Sequence, residues 1–273
     1  MIYETITLSS KYPEATLTSY VCDNSLKTPP RPAVIVCPGG GYHGLSEREA
    51  EVIARKYFGV SMNTYVLRYS LGERAANFLP LIEAALAIKY VKEQASIHNT
   101  DPEKVFILGF SAGGHLAASA GILWNIPEVR DAVGVTDGSA PEGINRPAGM
   151  ILAYPVISMS DITHTGTRNN VCGSNAPGEE IKNRFSLELH VDETTPPVFI
   201  WHTVTDQVVN IRNALCLITA LTEKGIAYEA HIYPNGPHGL ALCNKETWTE
   251  NPDYLVPEAE GWVDMSIDWI RRI

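Results

Sequence analysis

The chain has 273 residues, 45% of them hydrophobic, and a formal net charge of −10. That length suits one large α/β core better than two domains, and the acidity argues against nucleic acid or an anionic membrane as partner. No apolar run is long enough to span a bilayer. Five scattered cysteines without a CxxC pair read as reduced thiols rather than a disulfide framework.

The first residues, MIYETITLSS, lack the basic head and apolar stretch of a signal peptide, so a cytoplasmic location is expected. Ile2–Leu8 and Thr16–Cys22 alternate polar and apolar residues and predict half-exposed antiparallel strands at a sheet edge. The pattern then changes. Ala33–Cys37, Met62–Leu67, Val105–Phe110, Met150–Tyr154, Val198–Thr203 and Tyr228–Tyr233 are mostly continuous apolar runs, as in a parallel sheet covered on both faces. Helical patterns fall between them. Ser46-Glu47-Arg48-Glu49 has capping-box spacing and opens a helix through Tyr57. Leu79–Gln94, Ala112–Leu123 and Val208–Lys224 come next, the last with Gly225 as its C-terminal cap, and Glu258–Arg272 closes the chain. Eight strands alternating with helices after an antiparallel start predict a doubly wound, mostly parallel α/β sheet.

Two stretches break the rhythm, 124–148 and 155–197. Loops of that length in a compact domain are usually functional or disordered. The second, with weak helical character near Glu179–Leu189, is read as a cap or lid inserted in a single domain covering 1–273.

The fifth strand runs into Gly109-Phe110-Ser111-Ala112-Gly113, a G-x-S-x-G sequence between an apolar strand and an alanine-rich helix. That setting is required of a nucleophile elbow, in which a strained turn lifts the serine hydroxyl out of the sheet. A serine hydroxyl needs an adjacent base, and the base needs a carboxylate to orient it. In elbow-bearing hydrolases the order along the chain is serine, acid, histidine. Asp206 after the seventh strand and His238 after the eighth occupy those slots. Asp161 is the rival acid, while Asp192 precedes a strand and lies at the wrong edge. Bland roles stay open: Ser111 or Asp206 as helix caps, His238 as a solvated loop residue. His202 and His231 lie within strands and read as structural, and His115 as a packing or hydrogen-bonding residue. No histidine spacing matches a zinc site.

The glycines of Cys37-Pro38-Gly39-Gly40-Gly41-Tyr42 admit a dinucleotide reading, because Gly39 to Gly44 fits G-x-G-x-x-G. The next strand, however, ends without an acid to hold a ribose. With an elbow downstream, the run is better used to aim backbone N–H groups at a tetrahedral oxyanion, together with the N–H of Ala112.

CPGGGY at 37–42, GFSAGGHLAA at 109–118, PPVFIWHTVTDQVV at 196–209 and YPNGPHGLAL at 233–242 resemble the α/β-hydrolase superfamily over nearly the whole chain. More narrowly, they resemble its carbohydrate acetylesterase and feruloyl-esterase group, the acetyl xylan esterase-like relatives of hormone-sensitive lipase. The resemblance implies Ser111 as nucleophile, His238 as base, Asp206 as orienting acid, and Gly40, Gly41 and Ala112 as the oxyanion hole. Relatives often place a histidine before the glycines; here Pro38 stands there, and the loop must be steadied otherwise.

The expected function is a serine esterase removing acetyl or other small acyl groups from sugar hydroxyls, with no metal or organic cofactor. Its partner would be a small-molecule or oligosaccharide ester; assembly as a homo-oligomer is left open. Tyr42 and Trp201 are candidate substrate-binding residues, with Trp124 and Trp248 as further sugar platforms, although core packing is the stronger reading for each tryptophan. The alternatives are a general short-chain carboxylesterase, an arylformamidase with the same residues, or a non-catalytic binding protein on this fold.

Overall fold

The computed structural model describes residues 1–23 and 27–273. Its strands are β1 (Ile2–Thr7), β2 (Thr16–Val21), β3 (Arg31–Cys37), β4 (Asn63–Arg68), β5 (Thr100–Phe110), β6 (Gly149–Ala153), β7 (Val198–Thr203) and β8 (Tyr228–Tyr233). They form one sheet in the order β1-β2-β4-β3-β5-β6-β7-β8. β2 runs antiparallel to both neighbours, and every other pairing is parallel. The chain crosses from β3 to β4 on one side and returns to β5 on the other. The order therefore reverses at β3, and the crevice beyond the carboxyl ends of β3 and β5 is where such sheets bind ligands.

The helices are α1 (Glu51–Phe58), α2 (Leu79–Glu93), α3 (Ala95–His98), α4 (Ser111–Ile122), α5 (Pro127–Val133), α6 (Thr165–Cys172), α7 (Glu179–Phe185), α8 (Arg212–Glu223), α9 (Pro257–Glu260) and α10 (Trp262–Arg272). They divide between the two faces. Ile35, Val105 and Ile107 pack with Ala84 and Ile88 of α2, Leu116 of α4 and Leu217 of α8. The alternate strand residues Val34, Val36, Phe106 and Leu108 pack with Ile53 and Tyr57 of α1 and Trp262 and Ile270 of α10. Each central strand thus buries both sets of side chains, which is why its sequence lacks polar alternation.

Three local expectations are corrected. β8 alternates between exposed and half-buried residues, because it is the sheet's edge and only one face is covered. The helix read from Val208 begins at Arg212, since the N–H groups of Val208 and Val209 are held by the Asp206 carboxylate at 2.8 and 2.9 Å. The capping box at Ser46 does not form: the Ser46 side chain caps nothing, and its backbone N–H donates to the Gly39 carbonyl at 2.9 Å. With that N–H taken, Glu49 turns to other donors. At Gly225 the cap forms: φ is +67°, the Gly225 N–H reaches the Thr222 carbonyl and the Ile226 N–H the Leu221 carbonyl. That pair of bonds is the Schellman arrangement.

Trp201 is fully buried. Its ring stacks on Trp262 at 5.4 Å and meets Tyr154 edge-on at 4.9 Å. It is a core residue between β7 and α10 and does not face substrate. Tyr42 is also buried, and its hydroxyl is paired with His115 Nδ1 at 3.0 Å. Trp124 is tied down as well, its indole N–H donating to Thr194 Oγ1 at 3.1 Å.

Candidate active site

Ser111 sits at the first position of α4 with φ of +54°, a left-handed conformation that costs a non-glycine residue about 1–3 kcal/mol. The flanking glycines show why the turn is so tight. A Cβ on Gly109 would lie 2.0 Å from the Gly113 carbonyl oxygen, and one on Gly113 would lie 2.2 Å from the Cys37 oxygen. Only hydrogen fits at either place.

His238 reaches Ser111 from the loop after β8. Its Nε2 lies 2.8 Å from Ser111 Oγ, and its Nδ1 lies 2.7 Å from Asp206 Oδ2. An ionised carboxylate only accepts, so Nδ1 carries the proton and Nε2 is left to accept from the serine hydroxyl. Burial alone would raise the Asp206 pKa, but hydrogen bonds from His202 and His238 and from the Val209 N–H outweigh it and hold the carboxyl well below its ordinary range. Both oxygens are engaged, Oδ1 by the turn amides and Oδ2 by His238. The structure brings Ser111, Asp206 and His238 together; Asp161 is exposed on the surface. His202, read from the sequence as a strand residue, is a contributor. Its Nε2 lies 2.9 Å from the Val209 carbonyl and 3.3 Å from Asp206 Oδ2, so it braces the same carboxylate oxygen that His238 engages.

The glycine loop leaves β3 next to this line. Gly40 and Gly41 have φ of +134° and +65°. In a trans peptide the carbonyl and the following N–H point in opposite directions. Ser46 N–H holds the Gly39 carbonyl at 2.9 Å, while the N–H groups of His43 and Gly44 hold that of Gly40. Val156 N–H likewise holds the Ser111 carbonyl at 3.0 Å. Each anchored carbonyl turns the following N–H, of Gly40, Gly41 or Ala112, to the opposite side, and among the described residues none of the three reaches a protein acceptor. Several contacts steady the loop around Pro38. Tyr69 Oη donates to the Pro38 carbonyl at 2.6 Å, Asn170 Nδ2 to the Gly41 carbonyl at 2.8 Å, and Gly39 N–H to Glu49 Oε2 at 2.9 Å.

A cleft of about 620 Å³ opens over Ser111 and His238, lined also by Gly40, Gly41, Arg48 and Tyr254. The 155–197 segment contributes His164, Gly166, Asn169, Asn170 and Asn175 to it. His164 is held by Thr167, whose backbone N–H donates to its Nδ1 at 3.2 Å. Burial, and then the nearby His238, lower its pKa, which favours a neutral ring. None of these lining residues carries a sequence pattern that would single it out. Among the described residues no group of three His, Cys, Asp or Glu side chains is placed to hold a metal, and no helix is long and apolar enough to cross a membrane. Chemically, the line of serine, imidazole and carboxylate can move a proton from Ser111 Oγ to His238, beside amides able to receive a developing oxyanion.

The sequence matches the BD-FAE family over residues 20–221. It is 35% identical over 238 residues to endo-1,4-beta-xylanase B of Butyrivibrio fibrisolvens, covering 84% of this chain and 35% of that protein. It is 28% identical to the acetylxylan esterase of Xylanibacter ruminicola, covering 85% of this chain and 45% of that one. The chain thus spans between about a third and a half of the length of these curated relatives. Among solved structures it resembles a carboxylesterase from Lactobacillus plantarum, with a TM-score of 0.86, 30% identity, and 100% and 98% of the two chains covered. An acetyl ester-xyloside bifunctional hydrolase from Caldicellulosiruptor lactoaceticus superposes with a TM-score of 0.83 at 28% identity, covering 98% and 96%.

Proposed function

The chain belongs to the BD-FAE family, and from that premise we propose that it is a serine esterase removing acetyl groups from sugar hydroxyls through Ser111, His238 and Asp206. The α/β-hydrolase fold and the esterase relatives make this domain a carboxylic ester hydrolase; the acyl group, the alcohol and the residue roles are the proposal.

Ser111 Oγ attacks the ester carbonyl while His238 Nε2 takes its proton, and Asp206 keeps the imidazole in the required tautomer. The tetrahedral oxyanion rests on the N–H groups of Gly40, Gly41 and Ala112. One such donor is typically worth about 3 kcal/mol in the transition state. The sugar alcohol leaves with the proton from His238, and water activated by the same imidazole then releases acetate. The observation that carries this reading is the pair of bonds at His238, 2.8 Å to the serine and 2.7 Å to the acid, at the floor of an open cleft.

Two things support a sugar as the alcohol. Asn169, Asn170 and Asn175 supply amides to the cleft wall contributed by residues 155–197, and amides suit hydroxyl-rich substrates. The acetylxylan esterase of X. ruminicola points the same way. That wall acts as the cap in this reading. Cytoplasmic action is part of the proposal and is supported by the five free cysteines. A general short-chain carboxylesterase is the second reading, favoured by the L. plantarum neighbour.

A panel of acetylated xylo-oligosaccharides, p-nitrophenyl esters of rising chain length and N-formylkynurenine separates these. Acetylated sugars turned over far more slowly than simple aryl acetates would remove the carbohydrate assignment. Full activity in Ser111→Ala would remove the mechanism.

A further inference from the structure

Glu49 is buried beside the cleft, 4% exposed. Its two oxygens are taken by two neutral donors that belong to different parts of the site. Oε2 accepts from the Gly39 N–H at 2.9 Å, and Oε1 accepts from the Tyr154 hydroxyl at 2.7 Å. The Tyr154 oxygen in turn accepts from the Ala241 N–H at 2.9 Å.

The polarity of this chain of bonds is fixed. Ala241 can only donate to Tyr154, so the hydroxyl hydrogen is free to point at Glu49. Burial, followed by the charge of Glu49, pushes the Tyr154 pKa far up, so the phenol stays a donor. At the other end a backbone N–H also donates. A carboxylate accepts at both of its oxygens, whereas an amide offers one acceptor oxygen and would turn its NH2 toward a donor.

The two ends matter because of their neighbours. Gly39 immediately precedes Gly40 and Gly41, whose N–H groups reach no protein acceptor among the described residues. Ala241 lies three residues after His238, and the Tyr154 ring meets the His238 ring edge-on at 5.1 Å. Tyr154 holds a φ of +37° to do this, strained for an aromatic residue. Arg48, the residue before Glu49, grips the same region: its Nε donates to the Thr247 carbonyl at 2.6 Å, with its guanidinium 4.2 Å from the Tyr254 ring centre.

We propose that Glu49 is a positioning residue: through Gly39 on one side and Tyr154 and Ala241 on the other, its carboxylate sets the oxyanion amides and His238 at their working separation. The inference rests on reading Ser111, His238 and the glycine loop as the catalytic machinery. It makes Glu49 an element of turnover rather than of substrate binding. Transition-state geometry tolerates little displacement: a shift of about 1 Å can cost about a hundredfold in rate.

The test is steady-state hydrolysis of p-nitrophenyl acetate by Glu49→Gln, Tyr154→Phe, the double variant and Ser111→Ala, with thermal unfolding of each. Glu49→Gln is expected to lower kcat by about tenfold to a hundredfold with KM within about twofold, and Tyr154→Phe to lower kcat in the same direction. The double variant should be no slower than the slower single, because both break one connection. Should Glu49→Gln fail to fold, Tyr154→Phe alone decides. A folded Tyr154→Phe or Glu49→Gln with kcat within about twofold of the parent, or a double variant whose losses multiply, overturns the inference. Ser111→Ala separates the levels. Activity lost there but intact in Glu49→Gln overturns only the role of Glu49, whereas activity surviving in Ser111→Ala overturns the site reading and this inference with it.

Discussion

Cys37 and Gly109 are register partners in the parallel pair β3–β5, so the glycine loop and the serine elbow leave the sheet side by side. Gly113 is the point at which α4 passes against that junction. A Cβ there would lie 2.2 Å from the Cys37 oxygen and 2.4 Å from the Pro38 oxygen, both backbone atoms with no easy retreat. Gly113→Ala should therefore lower stability by about 2–3 kcal/mol and reduce kcat by pushing the loop away from Ser111. Thermal unfolding and p-nitrophenyl acetate kinetics check both; a parent-like melting temperature would mean the junction is softer than it looks.

Asp206→Asn leaves the shape intact but not the proton. The asparagine oxygen can keep the N–H groups of Val208 and Val209, and its NH2 then faces His238 Nδ1, favouring the wrong tautomer. The loss in kcat should be on the order of ten-thousandfold, with a circular dichroism spectrum and melting temperature close to the parent's. A loss under about tenfold would shift the orienting role to another residue.

Acid should weaken the fold through His115. Its ring is buried, with Nδ1 on the Tyr42 hydroxyl and Nε2 on the Phe185 carbonyl, and burial pulls its pKa from 6.5 to about 4. Between those values the unfolded chain holds a proton that the folded chain refuses. Stability is therefore present in full above about pH 6.5 and lost as pH falls toward 4, by up to about 3 kcal/mol. Urea midpoints at neutral pH and near pH 4.5, for the parent and His115→Gln, measure it. The variant should lose less on acidification; equal losses would place the acid sensitivity in other groups.

Trp201→Phe should separate core from substrate. The indole is enclosed by Trp262, Tyr154 and Tyr233, so the change should cost about 1–2 kcal/mol of stability and leave KM for an acetylated sugar unchanged. A raised KM at unchanged melting temperature would return Trp201 to the binding site.

What the sequence reveals is what short-range stereochemistry controls. The elbow at Ser111 was legible because its tight turn is closed locally, as Gly109 meets Gly113, although Gly113 itself answers to Cys37 across the sheet. The central strands were legible because burial on both faces erases alternation locally. Trp201 lies in such a strand, and an aromatic residue there reads equally as core or platform until its neighbours are known. Glu49 shows the opposite limit. Its spacing from Ser46 fits a helix cap, and only the return of Gly39 onto the Ser46 N–H leaves the carboxylate to bridge two loops.

By itself, then, the sequence determined the order of the eight strands and of the longer helices between them, the strained turn at Ser111 and the chain positions open to an acid and a histidine, since each is set by backbone sterics and local periodicity. The short helices α5 and α6 lie in stretches that read as loops. Tertiary structure alone decided which groups meet. Ser111 finds His238 across 127 residues, and Glu49 finds Tyr154 across 105. Such contacts depend on strand order and register across the whole sheet, which no local pattern encodes.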